Sequence, residues 1–362
     1  MILFRYLCKE LYANLLAITL VLLIIFITNQ FIHYLKDAAS GQITMTAVMQ
    51  IMSLQIPLLL GYLLPLGLYL SILIGYGRLY VDHEMTVLSS CGMSRAQLMG
   101  MTMLIAFFVM IVVGTLMLWV EPIIQGYRTA ILNKAITKAS MQKIVPKRFQ
   151  TLQKGTVFYV DSLSREQQNM FNIFLAHQSS DQKNQWDVTI AKKASERKMP
   201  DLKGQFIVFH QGYRYMGEPG QRDFRKIKFD TYGVKLVTSA ASLTDWPSNV
   251  PTKALWDYTK NDLSLDRYRQ VKAMLQWRIA MPISVILFAL LAFPLSQVNP
   301  RSGKFAQLIP AILIYIAYAD LLFLGRAWIE KGTISPTLGL WWIHGAALLL
   351  AVLLNFYRYV RN

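Results

Sequence analysis

The sequence predicts a polytopic α-helical membrane protein with an all-β domain inserted between its third and fourth membrane helices. Three observations carry this prediction. Six apolar segments, at 11–32, 51–75, 98–120, 277–298, 305–324 and 338–356, each supply the roughly 20 residues that a helix needs to cross a bilayer core. They are split three and three around a polar stretch running from 125 to 266. That stretch alternates short β-rich runs with polar and glycine-containing turns. Composition agrees: of 362 residues 54% are hydrophobic and 16% charged, against about a quarter charged in soluble domains. The spans must be helical, because lipid offers no partner to an unpaired backbone group.

The short loops set the orientation, since Lys and Arg accumulate in those on the cytoplasmic side. With the N-terminus inside, the cytoplasmic pieces hold Arg5, Lys9, Arg78, Arg95, Arg301, Lys304, Arg358 and Arg361. The opposite short loops hold Lys36, Arg326 and Lys331. Both termini are therefore expected in the cytoplasm and the insert on the far side. The division expected is 1–124 for the first three spans, 125–266 for the β domain and 267–362 for the last three spans. Basic residues in the insert do not oppose this, because long domains cross largely regardless of charge. Cys8 and Cys91 both fall on the cytoplasmic side, so no disulfide framework holds the insert. The net charge of +17 suits an anionic lipid or substrate and, given the spans, not nucleic acid. The first segment is expected to stay as a helix, its apolar run exceeding the roughly 7–15 residues of a signal core.

Taken in order, Pro57 and Pro65 predict a kink or interruption in the second span. Gly67, Ser71 and Gly75 recur every four residues, a spacing that lets helix backbones approach closely, within the chain or at a subunit interface. The link from Asp82 to Arg95 reads as a short helix over 82–91. Asp82 is its expected N-cap, and Glu84 sits in the first turn, where a carboxylate suits the helix dipole. Met85, Val87, Leu88 and Cys91 supply apolar surface, and Gly92 suits a C-terminal stop. Ser94 with Gln97 has the spacing of a capping box that opens the third span. That span is expected to end near Glu121-Pro122, with a basic continuation over 127–143. Strands are expected at 156–161, 171–177, 188–191, 206–210, 225–230 and 234–238, as an all-β sandwich or barrel. A proline-punctuated linker, 246–251, leads back to the membrane. Ser264 is placed to cap the helix entering span four, which Pro282 is expected to kink, and Asn299 to Lys304 reads as a compact basic turn.

No catalytic constellation stands out. The chain has no GxxxxGK[ST] phosphate loop, no HExxH and no cysteine pair at zinc spacing. His33, His83, His177, His210 and His344 are scattered, which points to structural or surface roles. Asp320 is the one carboxylate inside a span, a position that calls either for a function or for a partner such as Arg326. Positive charge gathers near the outer ends of the spans at Lys36, Lys272, Arg278, Arg326 and Lys331, where it could collect headgroup phosphates or simply anchor the interface.

Two motifs carry a resemblance. The link Leu79-Tyr80-Val81-Asp82-His83-Glu84-Met85-Thr86-Val87-Leu88-Ser89-Ser90-Cys91-Gly92-Met93-Ser94 is one. The other is Trp277-Arg278-Ile279-Ala280 with Pro294-Leu295-Ser296 and Asn299-Pro300-Arg301-Ser302-Gly303. Together with the split spans they resemble the LptF/LptG permeases, the membrane subunits of the lipopolysaccharide export transporter of Gram-negative inner membranes. The opening Met1-Ile2-Leu3-Phe4-Arg5-Tyr6-Leu7 and Cys91-Gly92 look more like the F-type than the G-type. The resemblance implies six membrane helices with a periplasmic β-jellyroll. It implies a G-type sister permease, a cytoplasmic ATPase dimer carrying ATP and Mg, a periplasmic bridge of jellyroll proteins and a single-span membrane partner. No cofactor is implied in this chain. Asp82, Glu84, Met85, Leu88 and Gly92 then belong to the segment that docks into the ATPase. Gln30 and His33 stand where the family carries basic residues after span one, leaving Lys36, with Arg326, Lys331 and His33, as the headgroup candidates. The alternatives are a non-transporting envelope scaffold or sensor, which would purify without a stoichiometric ATPase, and a lipid-modifying membrane enzyme, which the missing acid/base and metal residues oppose.

Overall fold

The computed structural model describes residues 2–39, 43–142, 146–153, 156–164, 169–178, 185–198, 205–218, 220, 224–235, 246–258, 263–298 and 307–361. It divides into two compact units. One comprises Met1–Leu35, Val48–Ile131 and Asp245–Asn362; the other comprises Lys36–Ala47 and Leu132–Thr244.

The first unit is helical. Long helices α1 (Ile2–Ala39) and α2 (Met45–Val81) are followed by the short α3 (Glu84–Ser90). Next comes α4 (Arg95–Thr115), which continues through a π turn at Leu116–Val120 into α5 (Glu121–Gln142). After the second unit come α6 (Thr252–Asp257), α7 (Leu265–Leu295), α8 (Leu308–Lys331) and α9 (Trp341–Arg361). Five of these helical runs are long and apolar enough to cross a membrane: Ile2–Ala39, Met45–Val81, Arg95–Lys134, Leu265–Leu295 and Leu308–Lys331. α9, which carries His344, Asn355 and Arg358, is not one of these five.

Helix α7 is the hub, buried on most of its faces. Phe288 at its centre meets Tyr69 of α2 at 5.2 Å, and Tyr315 and Tyr318 of α8 at 5.0 and 4.9 Å between ring centroids. Two of these rings have their polar ends satisfied: Tyr69 donates to the Ala311 carbonyl at 3.0 Å, and the Tyr318 hydroxyl lies 2.8 Å from Nδ1 of His344. By contrast α1 and α8 leave large apolar side chains outward, among them Leu16, Leu20, Ile309, Leu313 and Phe323, as lipid-facing helices do.

The Gly67–Ser71–Gly75 stripe of α2 faces α1 of the same chain. A Cβ on Gly67 would lie 2.3 Å from the Thr19 hydroxyl, and one on Gly75 would lie 3.2 Å from the Asn14 amide. Between them, Ser71 donates to the Leu11 carbonyl at 2.6 Å. Small residues thus bring two backbones together, and a hydroxyl adds a bond that lipid cannot offer. Helix α2 passes through Pro57 and Pro65 without interruption.

The second unit is a six-stranded antiparallel sheet in simple sequential order. Its strands are β1 (Gln150–Gln153), β2 (Thr156–Leu163), β3 (Asn169–Gln178), β4 (Trp186–Lys198), β5 (Gln205–Gly217) and β6 (Arg225–Lys235). Register sets Val160 opposite Ile173, Ile173 opposite Ala191, Ala191 opposite Gly212 and Gly212 opposite Phe229. That row lies on the face whose core is Phe158, Val160, Met170, Ile173, Ala191, Ala194, Ile207 and Phe209. Gly212 must be small there, since a Cβ would meet the Ile190 carbonyl oxygen and the Phe229 ring. On β4 and β5, Asp187 accepts from Nε of Arg214 at 2.9 Å, which raises the Arg214 pKa above its ordinary value.

Several expectations change. The two strands expected at 225–230 and 234–238 are one, running through Gly233, and residues 236–238 lie outside the described residues. β1 adds a strand that its polar sequence did not announce. A second sheet facing the first, as a sandwich needs, is not among the described residues. The third span does not stop at Glu121-Pro122: the π turn resets the helix, and Pro122 falls in the first turn of α5, where its missing N–H does least harm. Ser264 is the N-cap of α7, but its carbonyl, not its side chain, accepts the first bond, from the Tyr268 N–H at 2.9 Å. The basic turn expected at 299–304 lies outside the described residues.

Candidate functional site

The α2–α3–α4 link is a short helix closed at both ends by its own sequence. α2 runs to Val81, so Asp82 is in the turn and does not cap α3. That correction has a clear cause: Asp82 still donates its N–H to the Arg78 carbonyl at 2.9 Å, and His83 takes the left-handed conformation, φ 60°, that re-aims the chain. Histidine is among the residues that tolerate this region. The Asp82 carboxylate sits 3.9 Å from Nε of Arg78. Glu84 then opens α3, its charge at the positive end of the helix dipole. Met85 is buried, while Val87 stays 60% exposed.

The stop is a Schellman motif. The Gly92 N–H bonds the Ser89 carbonyl at 3.0 Å and the Met93 N–H bonds the Leu88 carbonyl at 3.1 Å, with Gly92 at φ 88°. Leu88 and Met93, the apolar pair of that motif, both pack on the main core. Ser94 and Gln97 form the expected capping box, with reciprocal bonds of 3.2 and 2.9 Å. Arg95 ties the start of α4 to the ends of α7 and α9 through the Gln297 side chain and the Arg358 carbonyl, at 3.3 and 2.8 Å. The result is a seven-residue helix between two long ones, with an exposed apolar residue and a leading carboxylate.

A second cluster lies about 30 Å further along α2, counted as helical rise from Asp82 back to Tyr62. Arg278 of α7 is 0% exposed and Glu121 is 2% exposed, and they pair at 3.7 Å. Tyr62 donates to the Glu121 carboxylate at 2.9 Å. Arg278 also donates to the Ser248 and Val250 carbonyls at 2.6 and 2.8 Å and to the Thr252 hydroxyl at 2.9 Å. Thr252 in turn donates to the Leu118 carbonyl, inside the π turn. A π turn frees carbonyls from the ordinary ladder, and here one of them receives a side chain. The cluster therefore fastens the segment returning from the β unit to α2, the π turn and α7.

The sequence profile of the lipopolysaccharide export system permeases LptF/LptG matches residues 5–358. The chain belongs to that family. It is 30% identical over 359 residues to the lipopolysaccharide export system permease protein LptF of Escherichia coli K12, covering 99% of this chain and 95% of that one. The LptF proteins of Escherichia coli O157:H7 and Shigella flexneri match to the same extent. With its apolar helices, membership of the LptF/LptG family makes this a multi-pass inner-membrane permease.

The headgroup candidates each have their own surroundings. Arg326 is engaged inside the unit, 2.9 Å from Glu330 and stacked over the Trp277 ring at 5.3 Å. It does not pair with Asp320, which is exposed on α8. Lys331 and His33 are exposed, and Lys36, also exposed, is in the last turn of α1 within the other unit. Arg278, grouped by sequence with the outer cations, is wholly buried and committed to Glu121. His177 and His210 bond separately, to Thr156 and Ser195. No group of three or more His, Cys, Asp or Glu able to hold a metal occurs among the described residues. Sequence reasoning missed Tyr62, Glu121 and the partners of Arg278. The available signal was one acid and one base in segments otherwise free of charge.

Proposed function

We propose that this chain is a permease subunit of the ABC transporter that extracts lipopolysaccharide from the inner membrane, with α3 as its coupling helix for a separate ATPase. The supporting observation is the closed link: a short helix that begins on Glu84, stops on Gly92 and joins two membrane helices with no slack. Such a helix suits a groove on a partner, with the exposed Val87 inward and the carboxylate facing a basic residue. Closure of the partner on ATP would move α2 and α4 as levers, provided the docking contact differs between the partner's two states. ATP and Mg belong to that partner, so this chain does no chemistry and needs no cofactor of its own.

The rest of the reading follows the family. α9, about 31 Å long by helical rise, is the sixth span. Both termini and α3 face the cytoplasm. The six-stranded sheet is one wall of a periplasmic jellyroll that passes lipopolysaccharide to a bridge of similar domains. A G-type sister permease completes the cavity, a single-span protein attends it, and Lys36, Lys331 and His33 contact the headgroup. Support comes from the basic residues of the short loops and from the exposed apolar faces of α1 and α8.

The test is release of lipopolysaccharide from vesicles holding the assembled transporter. Glu84→Lys is expected to cut ATP-driven release at least tenfold with assembly of the two permeases intact. Release at the parental rate would remove the coupling role.

A further inference from the structure

The carboxylate at the head of α3 already has a partner within the chain. The Tyr6 hydroxyl, on the first turn of α1 and 78 residues away, donates to Oε2 of Glu84 at 2.7 Å. This α1–α3 bond continues a run of close contacts between α1 and α2. Gly67 abuts Thr19, Ser71 bonds the Leu11 carbonyl, and Gly75 abuts Asn14. Asn14 donates to Glu10 at 3.1 Å, and Glu10 pairs with Arg78 at 3.1 Å. On α1 the residues involved recur at 6, 10 and 14 beside 7, 11 and 15, so two adjacent stripes of one helix are fully used. Leu7, Leu11 and Leu15 are buried along the same line.

We propose that Tyr6 is a positioning residue for the coupling acid, and that it makes α1 part of the moving lever. The inference rests on the coupling role given to Glu84 above. A glutamate side chain has three rotatable bonds, and one hydroxyl fixes the carboxylate's direction before any partner arrives. Oε1 of Glu84 remains for the partner's cation, because a carboxylate accepts at both oxygens. A push on α3 then reaches α1 through Tyr6 and through the Glu10–Arg78 pair, not only α2 and α4 through the chain. The first span thereby joins the ATP-driven movement, although the sequence places it outside the link.

The test uses the whole transporter in vesicles, with Tyr6→Phe, Glu84→Gln and the double variant, reading lipopolysaccharide released per ATP hydrolysed and ATPase affinity in detergent. Tyr6→Phe keeps the ring and gives up one exposed hydrogen bond, so the melting temperature should fall by no more than about 2–4 °C. Release per ATP should fall about threefold, the size of one hydrogen bond after water's competition. In the Glu84→Gln background Tyr6→Phe should cost nothing further, since it acts through that carboxylate. Unchanged release in Tyr6→Phe would overturn the inference while Glu84→Gln still impaired transport. So would an equal loss in both backgrounds, or tighter ATPase binding, which would make Tyr6 a competitor. A Glu84→Gln variant with parental release would end both the coupling reading and this one.

Discussion

Replacing Arg278 with Met leaves the Glu121 carboxylate buried without its cation. It also takes from the Ser248 and Val250 carbonyls and the Thr252 hydroxyl the donors they now have. Breaking a buried pair from one side costs about 3–5 kcal/mol. A buried carbonyl deprived of its donor costs about 1–3 kcal/mol, and the terms overlap because the groups touch. About 5 kcal/mol is the expected loss. The double variant Glu121→Leu with Arg278→Met removes both charges and leaves the carbonyl losses and a Tyr62 hydroxyl without its acceptor, together about 3 kcal/mol. The double should therefore be more stable than the Arg278→Met single by about 2 kcal/mol. The assay is denaturant unfolding in detergent, followed by tryptophan fluorescence; Trp277 donates to Tyr62 at 3.4 Å and so reports from the site. A double variant at the sum of its singles within about 0.5 kcal/mol would refute a coupled pair. A loss below about 1 kcal/mol in Arg278→Met would refute burial of the charge.

Three more predictions follow from the helical unit and the sheet. Gly67→Ala drives a Cβ to 2.3 Å from the Thr19 hydroxyl and should lower stability by about 1–3 kcal/mol, read in the same unfolding assay; Thr19→Ala should restore most of it. Gly92→Val meets open space but forces a branched side chain to φ 88°, so about 1–2 kcal/mol of strain should fray α3; hydrogen exchange over 84–93 should quicken, with exchange over 98–113 unchanged. Gly212→Val, against the Ile190 carbonyl and the Phe229 ring, should cost about 1–3 kcal/mol and loosen the β4–β5–β6 register, seen as faster exchange on those strands.

What could be read in advance was local. Ser94 and Gln97 carry their capping box within four residues, and Gly92 announces a left-handed stop without reference to anything else. The long apolar runs likewise speak for themselves. What could not be read depended on distant partners. Asp82 has the right chemistry for a cap, yet α2 kept its helix to Val81 and left the turn to His83. The sequence separated 225–230 from 234–238, but β5 supplies Val208 opposite Gly233 and the pairing runs on. Arg278 read as an interface cation until Glu121, 157 positions earlier, appeared beside it. Tyr6 gave no sign of this contact, because a tyrosine near a membrane surface is ordinary until its hydroxyl is seen on Glu84. The same limit hid the sheet's order: each strand's period is local, whereas its neighbours are not.

Coupled export requires α3 to be the face that meets a motor. A photo-crosslinking residue in place of Val87, exposed on that helix, tests this in the assembled transporter. A crosslink to the ATPase subunit is expected from Val87, and none from the buried Met85 position. An ATPase that co-purifies in full yet never crosslinks from Val87 would contradict it.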